Sequence, residues 1–262
     1  MPFWLTSKRK PLIVAHRGSS AVTPENTLAS FHQAIEDGAD ALELDVHLTK
    51  DGEVVVIHDS TLNRTTNGRG RVREYTLAEL KQLDAGSWFQ KFFSSEKIPT
   101  LAEVFKLFHG KIGINVEIKA ERMHHQQLDV VDKCCKLITE YEMEEFILVS
   151  SFHQKFIDQV KLHHPNIAIG LLYDPIQPFV NSKILHAKAV HAEYIILNGR
   201  DLRNKIIEDI RTAGLLIGEY TINTQHRFNR ALRFGVDAVI TNNPARIKNY
   251  LEDRNKNPPC GG

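Results

Sequence analysis

Two histidines, His16 and His58, and three acidic side chains, Glu43, Asp45 and Glu117, carry the chemistry this sequence is equipped to do. Glu43 and Asp45 stand two apart in Ala41-Leu42-Glu43-Leu44-Asp45-Val46, so on a strand both carboxylates point to one face while Leu44 and Val46 fill the other. Like charges this close either keep one carboxyl protonated or recruit a cation. A hard, oxygen-seeking ion such as Mg²⁺ or Ca²⁺ is the expected answer. Asn115-Val116-Glu117-Ile118-Lys119 repeats the spacing and adds a third carboxylate and a cation on one face, an ordinary Glu–Lys pair being the plain alternative. Each histidine closes an apolar run. Leu12-Ile13-Val14-Ala15 breaks into His16-Arg17-Gly18, and Val54-Val55-Val56-Ile57 ends in His58-Asp59. An imidazole, with an ordinary pKa of about 6.5, both accepts and donates protons near neutrality. His47, two past Asp45, shares the carboxylate face if the strand continues that far. The other histidines, among them His124, His125 and His186, fall on helical patterns or their ends and read as surface or packing residues.

A scaffold must gather these strand ends. After His16, Thr23 as N-cap and Pro24 at the first helical position open a predicted helix with Leu28, Phe31, Ala34 and Ile35 on one side and Gly38 at its end. Glu25 and Asn26, at its start, are candidates to brace the site. Later in the chain, strands expected at 112–118, 146–149, 167–172, 194–197, 215–220 and 238–240 alternate with helices at 123–140, 153–163, 177–191, 202–213, 225–234 and 244–251. With the strands at Leu12 and Leu42 these make eight, and that alternation predicts an α/β fold, a closed (β/α)₈ TIM barrel spanning residues 1–262 as a single domain. Between strand two and its helix, approximately 51–99, the periodicity fades into a hairpin, Arg/Gly turns and a short helix near Leu77 to Leu83, which reads as a small insertion or lid. Its aromatics, Trp88, Phe89, Phe92 and Phe93, are expected to pack it onto the body. Chemistry in such barrels gathers at the carboxyl ends of the strands, where His16, Glu43, Asp45, Glu117, Lys119, Ser151, Asn198, Tyr220, Asn223 and Asn242 fall.

The chain has 262 residues, with 33 basic and 32 acidic side chains nearly in balance, which argues against a general nucleic-acid or anionic-membrane binder. Phe3-Trp4-Leu5 precedes Lys8-Arg9-Lys10, the reverse of a signal peptide's order, and no apolar run approaches a bilayer span. Cys134 and Cys135 are adjacent in a helical pattern and Cys260 lies in a Gly/Pro tail, so neither a disulfide framework nor a tetrahedral zinc site is expected. A cytoplasmic setting is the simplest expectation. The oligomeric state is open.

The ordered set His16-Arg17-Gly18, Pro24-Glu25-Asn26-Thr27, Glu43-Leu44-Asp45 and His58-Asp59 resembles the glycerophosphodiester phosphodiesterase family, of the bacterial, cytosolic type. Leu62-Asn63-Arg64-Thr65-Thr66-Asn67-Gly68, Leu83-Asp84-Ala85-Gly86-Ser87-Trp88-Phe89 and Ile98-Pro99-Thr100-Leu101-Ala102-Glu103 are similar to its following segments, as are Tyr220-Thr221-Ile222-Asn223 and the run 235–242 near the end. The resemblance implies hydrolysis of glycerophosphodiesters such as glycerophosphocholine or glycerophosphoethanolamine to sn-glycerol 3-phosphate and an alcohol. It implies His16 and His58 as general acid and base, with a cyclic glycerol phosphate on the family's favoured route. Glu43, Asp45 and Glu117 would hold Mg²⁺ or Ca²⁺, and Arg17 and Lys119 would neutralise the phosphate. Tyr220 stands where the family commonly carries tryptophan and is expected to floor the glycerol; Asn242 stands where aspartate is frequent. A lysophospholipase D with a larger cleft, and a silent phosphodiester-binding barrel, are the alternatives.

Overall fold

The computed structural model describes residues 2–7, 10–119, 127–173 and 180–256. Its strands are β1 (Leu12–His16), β2 (Ala41–Leu48), β3 (Val54–Val56), β4 (Gly113–Ile118), β5 (Ile147–Ser151), β6 (Ala168–Leu172), β7 (Tyr194–Asn198), β8 (Leu216–Tyr220) and β9 (Ala238–Thr241). All but β3 are parallel, in the order β1-β9-β8-β7-β6-β5-β4-β2, and β1 pairs back onto β2 at Val14↔Ala41, Ala15↔Leu42 and His16↔Glu43. The ring is therefore closed, the (β/α)₈ barrel expected from the alternation. The helices are α1 (Phe3–Thr6), α2 (Leu28–Glu36), α3 (Leu77–Leu80), α4 (Leu101–Phe108), α5 (Gln127–Glu140), α6 (Gln154–His163), α7 (Val180–Ala189), α8 (Asn204–Thr212), α9 (Gln225–Arg233) and α10 (Pro244–Lys256). Residues 123–126 and 177–179, where two helices were expected to begin, lie outside the described residues, as do His124, His125 and Cys260.

Strand alternation sorts the apolar side chains into two cores. Leu12, Val14, Ala41, Leu148, Tyr194 and Ile240 fill the barrel, whereas Ile13, Leu42, Leu44, Ile114 and Val149 meet helix residues such as Phe31, Phe105 and Phe156. Trp4 belongs to the inner cluster. It is 1% exposed, its indole Nε1 donates to the Phe146 carbonyl at 2.9 Å, and the Tyr194 hydroxyl donates to its own carbonyl. The apolar triplet near the amino terminus is thus a plug for the floor of the barrel. Gly113 makes room for it: a Cβ there would lie 2.2 Å from the Phe3 ring. Truncating a buried Trp of this kind costs about 3–5 kcal/mol.

The first barrel helix starts later than its capping signals predict. Thr27, not Thr23, is the N-cap of α2, accepting from the Ser30 amide at 3.2 Å and donating from its hydroxyl to the Pro24 carbonyl at 2.7 Å. Asn26 has φ +57°, a left-handed conformation no helix admits, so residues 24–26 form a turn over the site.

The stretch after β2 has a small core of its own, Val55, Ile57, Leu62, Val72, Leu80, Ala85 and Ile98. It leaves and re-enters the barrel at one place, where Val55 bridges Thr100 and the Val56 amide donates to the Pro99 carbonyl. Its aromatics depart from expectation. Phe92 is 85% exposed and Trp88 38%, and the four rings form an edge-to-face chain, Trp88–Phe89–Phe93–Phe92, upon one another. The 3₁₀ turn at Lys91–Phe93 is too short to present a buried face, so the outermost ring points to water.

Candidate active site

β2 is the longest strand, and its last residues overhang the barrel rim. β1 pairs only with its first half, and β3 folds back antiparallel on the overhang at Val46↔Val56, His47↔Val55 and Leu48↔Val54. The chain leaving β3 therefore returns to the mouth. Ile57 donates its amide to the Asp45 carbonyl at 2.9 Å, and His47 Nε2 lies 3.0 Å from the carbonyl of His58. His47 thus serves the site through the backbone of the second histidine.

In-register pairing of β1, β2 and β4 aligns His16 with Glu43, Glu43 with Asn115, and Asp45 with Glu117. Glu43, Asp45 and Glu117 are all buried, and one oxygen from each lies within 4.8 Å of the others. Arg17, at φ +59°, turns back over them. Its amide donates to Glu43 Oε2 at 2.8 Å, its Nε lies 3.3 Å from Asp45 Oδ2, and its Nη1 donates to Glu25 Oε1 at 2.8 Å. The following Gly18, at φ +80°, passes so close to Ser30 that a Cβ would sit 2.0 Å from its hydroxyl. Asn26 Nδ2 donates to Asp45 Oδ2 at 2.9 Å, so both Glu25 and Asn26 brace the cluster. Lys119 Nζ lies 2.8 Å from Asp45 Oδ1 and donates to Glu117 Oε1.

Three carboxylates thus face two cations. Burial, then the charges of Asp45 and Glu117, push Glu43 well above the ordinary carboxyl range. Burial raises Glu117 too. Burial also opposes ionisation of Asp45, but Lys119 and Arg17 outweigh it and hold the carboxyl below its ordinary value. Glu43 Oε1 and Asn115 Oδ1, both buried, accept no hydrogen bond among the described residues. Oxygen donors left idle beside uncompensated negative charge fit a divalent cation.

The two histidines are held by different partners. His16 Nδ1 lies 2.7 Å from Asn242 Oδ1, and Asn242 is fixed in turn by its amide donating to Asn223 Oδ1 at 2.9 Å. Burial, then the Arg17 charge, lowers the His16 pKa to about 4. His58 Nδ1 lies 2.6 Å from Asp59 Oδ1. Its pKa is lowered by burial, with the Asp45 charge working against the shift. Arg64 donates to both Asp59 oxygens and both Glu25 oxygens, joining His58 to the partner of Arg17.

A cavity of about 210 Å³ opens among these groups, lined by His16, Arg17, Glu43, His58, Asn115, Glu117 and Lys119 on one side and Phe152, Leu172, Tyr220, Thr221 and Ile240 on the other. Asp45 stands behind it. Tyr220 is in place, with its hydroxyl committed to the Tyr173 carbonyl at 2.9 Å and its ring against Phe152. Ser151 and Asn198 do not line it. Ser151 donates to the Ile118 carbonyl, and Asn198 caps the 3₁₀ turn at Gly199–Asp201. Asn115, Phe152 and Leu172 are additions; Asn115 was legible as the residue two before Glu117 on an inward strand face. A larger depression of about 570 Å³ between α5 and α6 is open surface, lined by Asp132, Lys136, His163 and His164 among others, and meets no strand end.

The arrangement has counterparts among known proteins. The family model Glycerophosphoryl diester phosphodiesterase family matches residues 16–246. A glycerophosphodiester phosphodiesterase of Caldanaerobacter subterraneus is 40% identical over 245 residues, covering 92% of this chain and 98% of that protein. One from Bacillus altitudinis is 33% identical, with 92% and 98% covered. A phosphodiesterase of Oleispira antarctica, solved in complex with the product sn-glycerol-3-phosphate, superposes with a TM-score of 0.86 at 31% identity, over 93% of this chain and 97% of that one. A barrel whose mouth joins an acidic cluster to two histidines, matched from His16 into the last helix, makes this chain a member of the glycerophosphoryl diester phosphodiesterase family, an enzyme that hydrolyses phosphoric diesters.

Proposed function

We propose that the protein cleaves small glycerophosphodiesters, such as glycerophosphocholine or glycerophosphoethanolamine, to sn-glycerol 3-phosphate and an alcohol, with His16 and His58 transferring protons and Glu43, Asp45 and Glu117 holding Mg²⁺ or Ca²⁺. The observation that carries this reading is the cavity itself, where two histidines with occupied Nδ1 atoms share a wall with the acidic cluster. With Nδ1 engaged, Nε2 is the ring nitrogen left for substrate in each case. Burial and the Arg17 charge keep His16 uncharged, and Asn242 places no negative charge beside it, so His16 is the base that takes the proton from the attacking hydroxyl, of water or of the glycerol. Asp59 gives His58 an anionic partner, which stabilises imidazolium, so His58 is the acid that protonates the leaving alcohol. Arg17 and Lys119 neutralise the phosphoryl oxygens, each keeping its contact to Asp45. Phe152, Leu172 and Tyr220 form an apolar wall suited to a glycerol carbon chain. A cation bound by the three carboxylates supplies Lewis-acid polarisation of the phosphoryl group.

Release of glycerol 3-phosphate from glycerophosphocholine, run beside lysophosphatidylcholine with and without Mg²⁺ or Ca²⁺, tests the reading. Metal-dependent turnover of the soluble diester is expected. Turnover of the lipid alone transfers the site to a lysophospholipase D, and no turnover of either leaves a binding protein. Among the described residues no helix is long and apolar enough to cross a membrane.

A further inference from the structure

Arg64 belongs to the insertion, not to the barrel, yet its side chain pairs with two carboxylates that hold groups of the site. Nε donates to Asp59 Oδ2 at 2.7 Å and Nη2 to Asp59 Oδ1 at 3.1 Å; Nη1 donates to Glu25 Oε2 and Nη2 to Glu25 Oε1, each at 2.8 Å. The guanidinium is thus forked onto two carboxylates at once, and each of them holds a group of the site: Asp59 holds His58 Nδ1 and Glu25 holds Arg17 Nη1. The loop presenting Arg64 is itself built. Leu62 is fully buried and Thr66 8% exposed; the Thr66 hydroxyl donates to the Leu62 carbonyl and accepts from the Gly68 amide, and the Asn63 side chain accepts from Gly70. Asn67 and Asp84 hold it from the far side, the Asp84 amide donating to Asn67 Oδ1. With a side chain 42% exposed, Arg64 adds little to global stability. A rigid loop that delivers a fully forked guanidinium to a half-exposed position has a geometric purpose.

We propose that Arg64 is a positioning residue, a clasp by which the insertion aligns His58 through Asp59 and Arg17 through Glu25, so that the proton donor and the phosphate-binding cation are set as one unit. This rests on the proton-transfer reading of His58 given above. The ion-paired chain Arg17–Glu25–Arg64–Asp59 alternates in charge and ends on the imidazole, so withdrawing Arg64 frees both carboxylates to swing.

The test is steady-state hydrolysis of glycerophosphocholine by the full chain. Arg64→Ala is expected to lower kcat by about 10- to 100-fold, the size of a misplaced catalytic group, with a smaller rise in KM through Arg17. Millimolar guanidinium should restore part of that loss, which a purely structural lesion would not allow. Arg64→Lys keeps the charge without the fork and is expected to fold normally and still lose kcat. In an Asp59→Asn background, Arg64→Ala should cost less than it does in the wild type, because the route through Asp59 is already broken and only the route through Glu25 remains. Wild-type kcat in Arg64→Lys, a loss confined to KM, or full multiplicative loss in the double variant each overturns the proposal. His58→Ala separates this from the reading beneath it. Full activity there removes the His58 role, whereas a large loss there with wild-type kcat in Arg64→Ala removes only the clasp.

Discussion

The two histidines face one cavity from opposite kinds of support. His16 closes a barrel strand, and its orienting partner, Asn242, follows β9, the neighbouring strand in the closed ring. His58 stands on a hairpin hung from the β2 overhang, and its partner Asp59 is gripped by a side chain of the insertion. One is fixed by the barrel itself and carries a neutral orienter; the other is fixed by an appendage and carries an anionic one. The difference teaches that the two histidines are set by different parts of the chain, so they can be disturbed separately.

Chelation is the severest way to break the comparison, because the acidic cluster lines the cavity that both histidines face. Excess EDTA is expected to abolish turnover, and added Mg²⁺ or Ca²⁺ to restore it; an undiminished rate would mean that the acidic cluster works without a metal. Next come the histidines themselves. His16→Ala and His58→Ala should each lower kcat by about 10²- to 10⁴-fold, and a variant keeping more than a tenth of the rate would take that residue out of proton transfer.

A subtler change makes the two supports alike. Asn242→Asp gives His16 an anionic partner and should raise its pKa from about 4. A base is competent only when unprotonated, so the acid limb of kcat/KM should move to higher pH, by about one unit. A limb that stays in place would deny His16 the role of base. The same shift bears on stability. Because the folded His16 pKa of about 4 lies below the unfolded value, its contribution is complete above that unfolded value and disappears as pH falls through the folded one. His16→Asn should therefore flatten the acid-side fall in Tm, read by thermal denaturation between those pH values. The smallest effect belongs to the aromatic chain: Phe92→Ser, at an 85% exposed position, should change unfolding free energy in urea by less than about 0.5 kcal/mol.

The barrel and the centre of its site were legible because they depend on period-two alternation. Glu43, Asp45 and Glu117 interrupt apolar strands at even spacing, and closure of a parallel ring makes such positions converge. Thr23-Pro24 misled because an N-cap followed by proline serves a turn equally well; only the reach of Asn26 to Asp45 decides between them, and that contact spans strands. Trp4 could not be read as a plug, since a helix of four residues has no periodicity. Arg64 was quoted only as part of a motif. Alone in a polar loop it looks like any surface arginine, and its second partner, Glu25, lies 39 residues away.

The chain that departs after β3 comes home at Thr100 beside Val55, so the insertion leaves and rejoins the barrel at one gate. Such a gate makes the insertion a replaceable cassette. Grafts beyond Asp84 would keep the Gly70 and Asp84 contacts that hold the Arg64 loop, whereas exchanging the whole segment would import a foreign first turn and unseat His58. Chimaeras joined at Asp84 should accordingly hydrolyse substrate faster than chimaeras joined at Asp59.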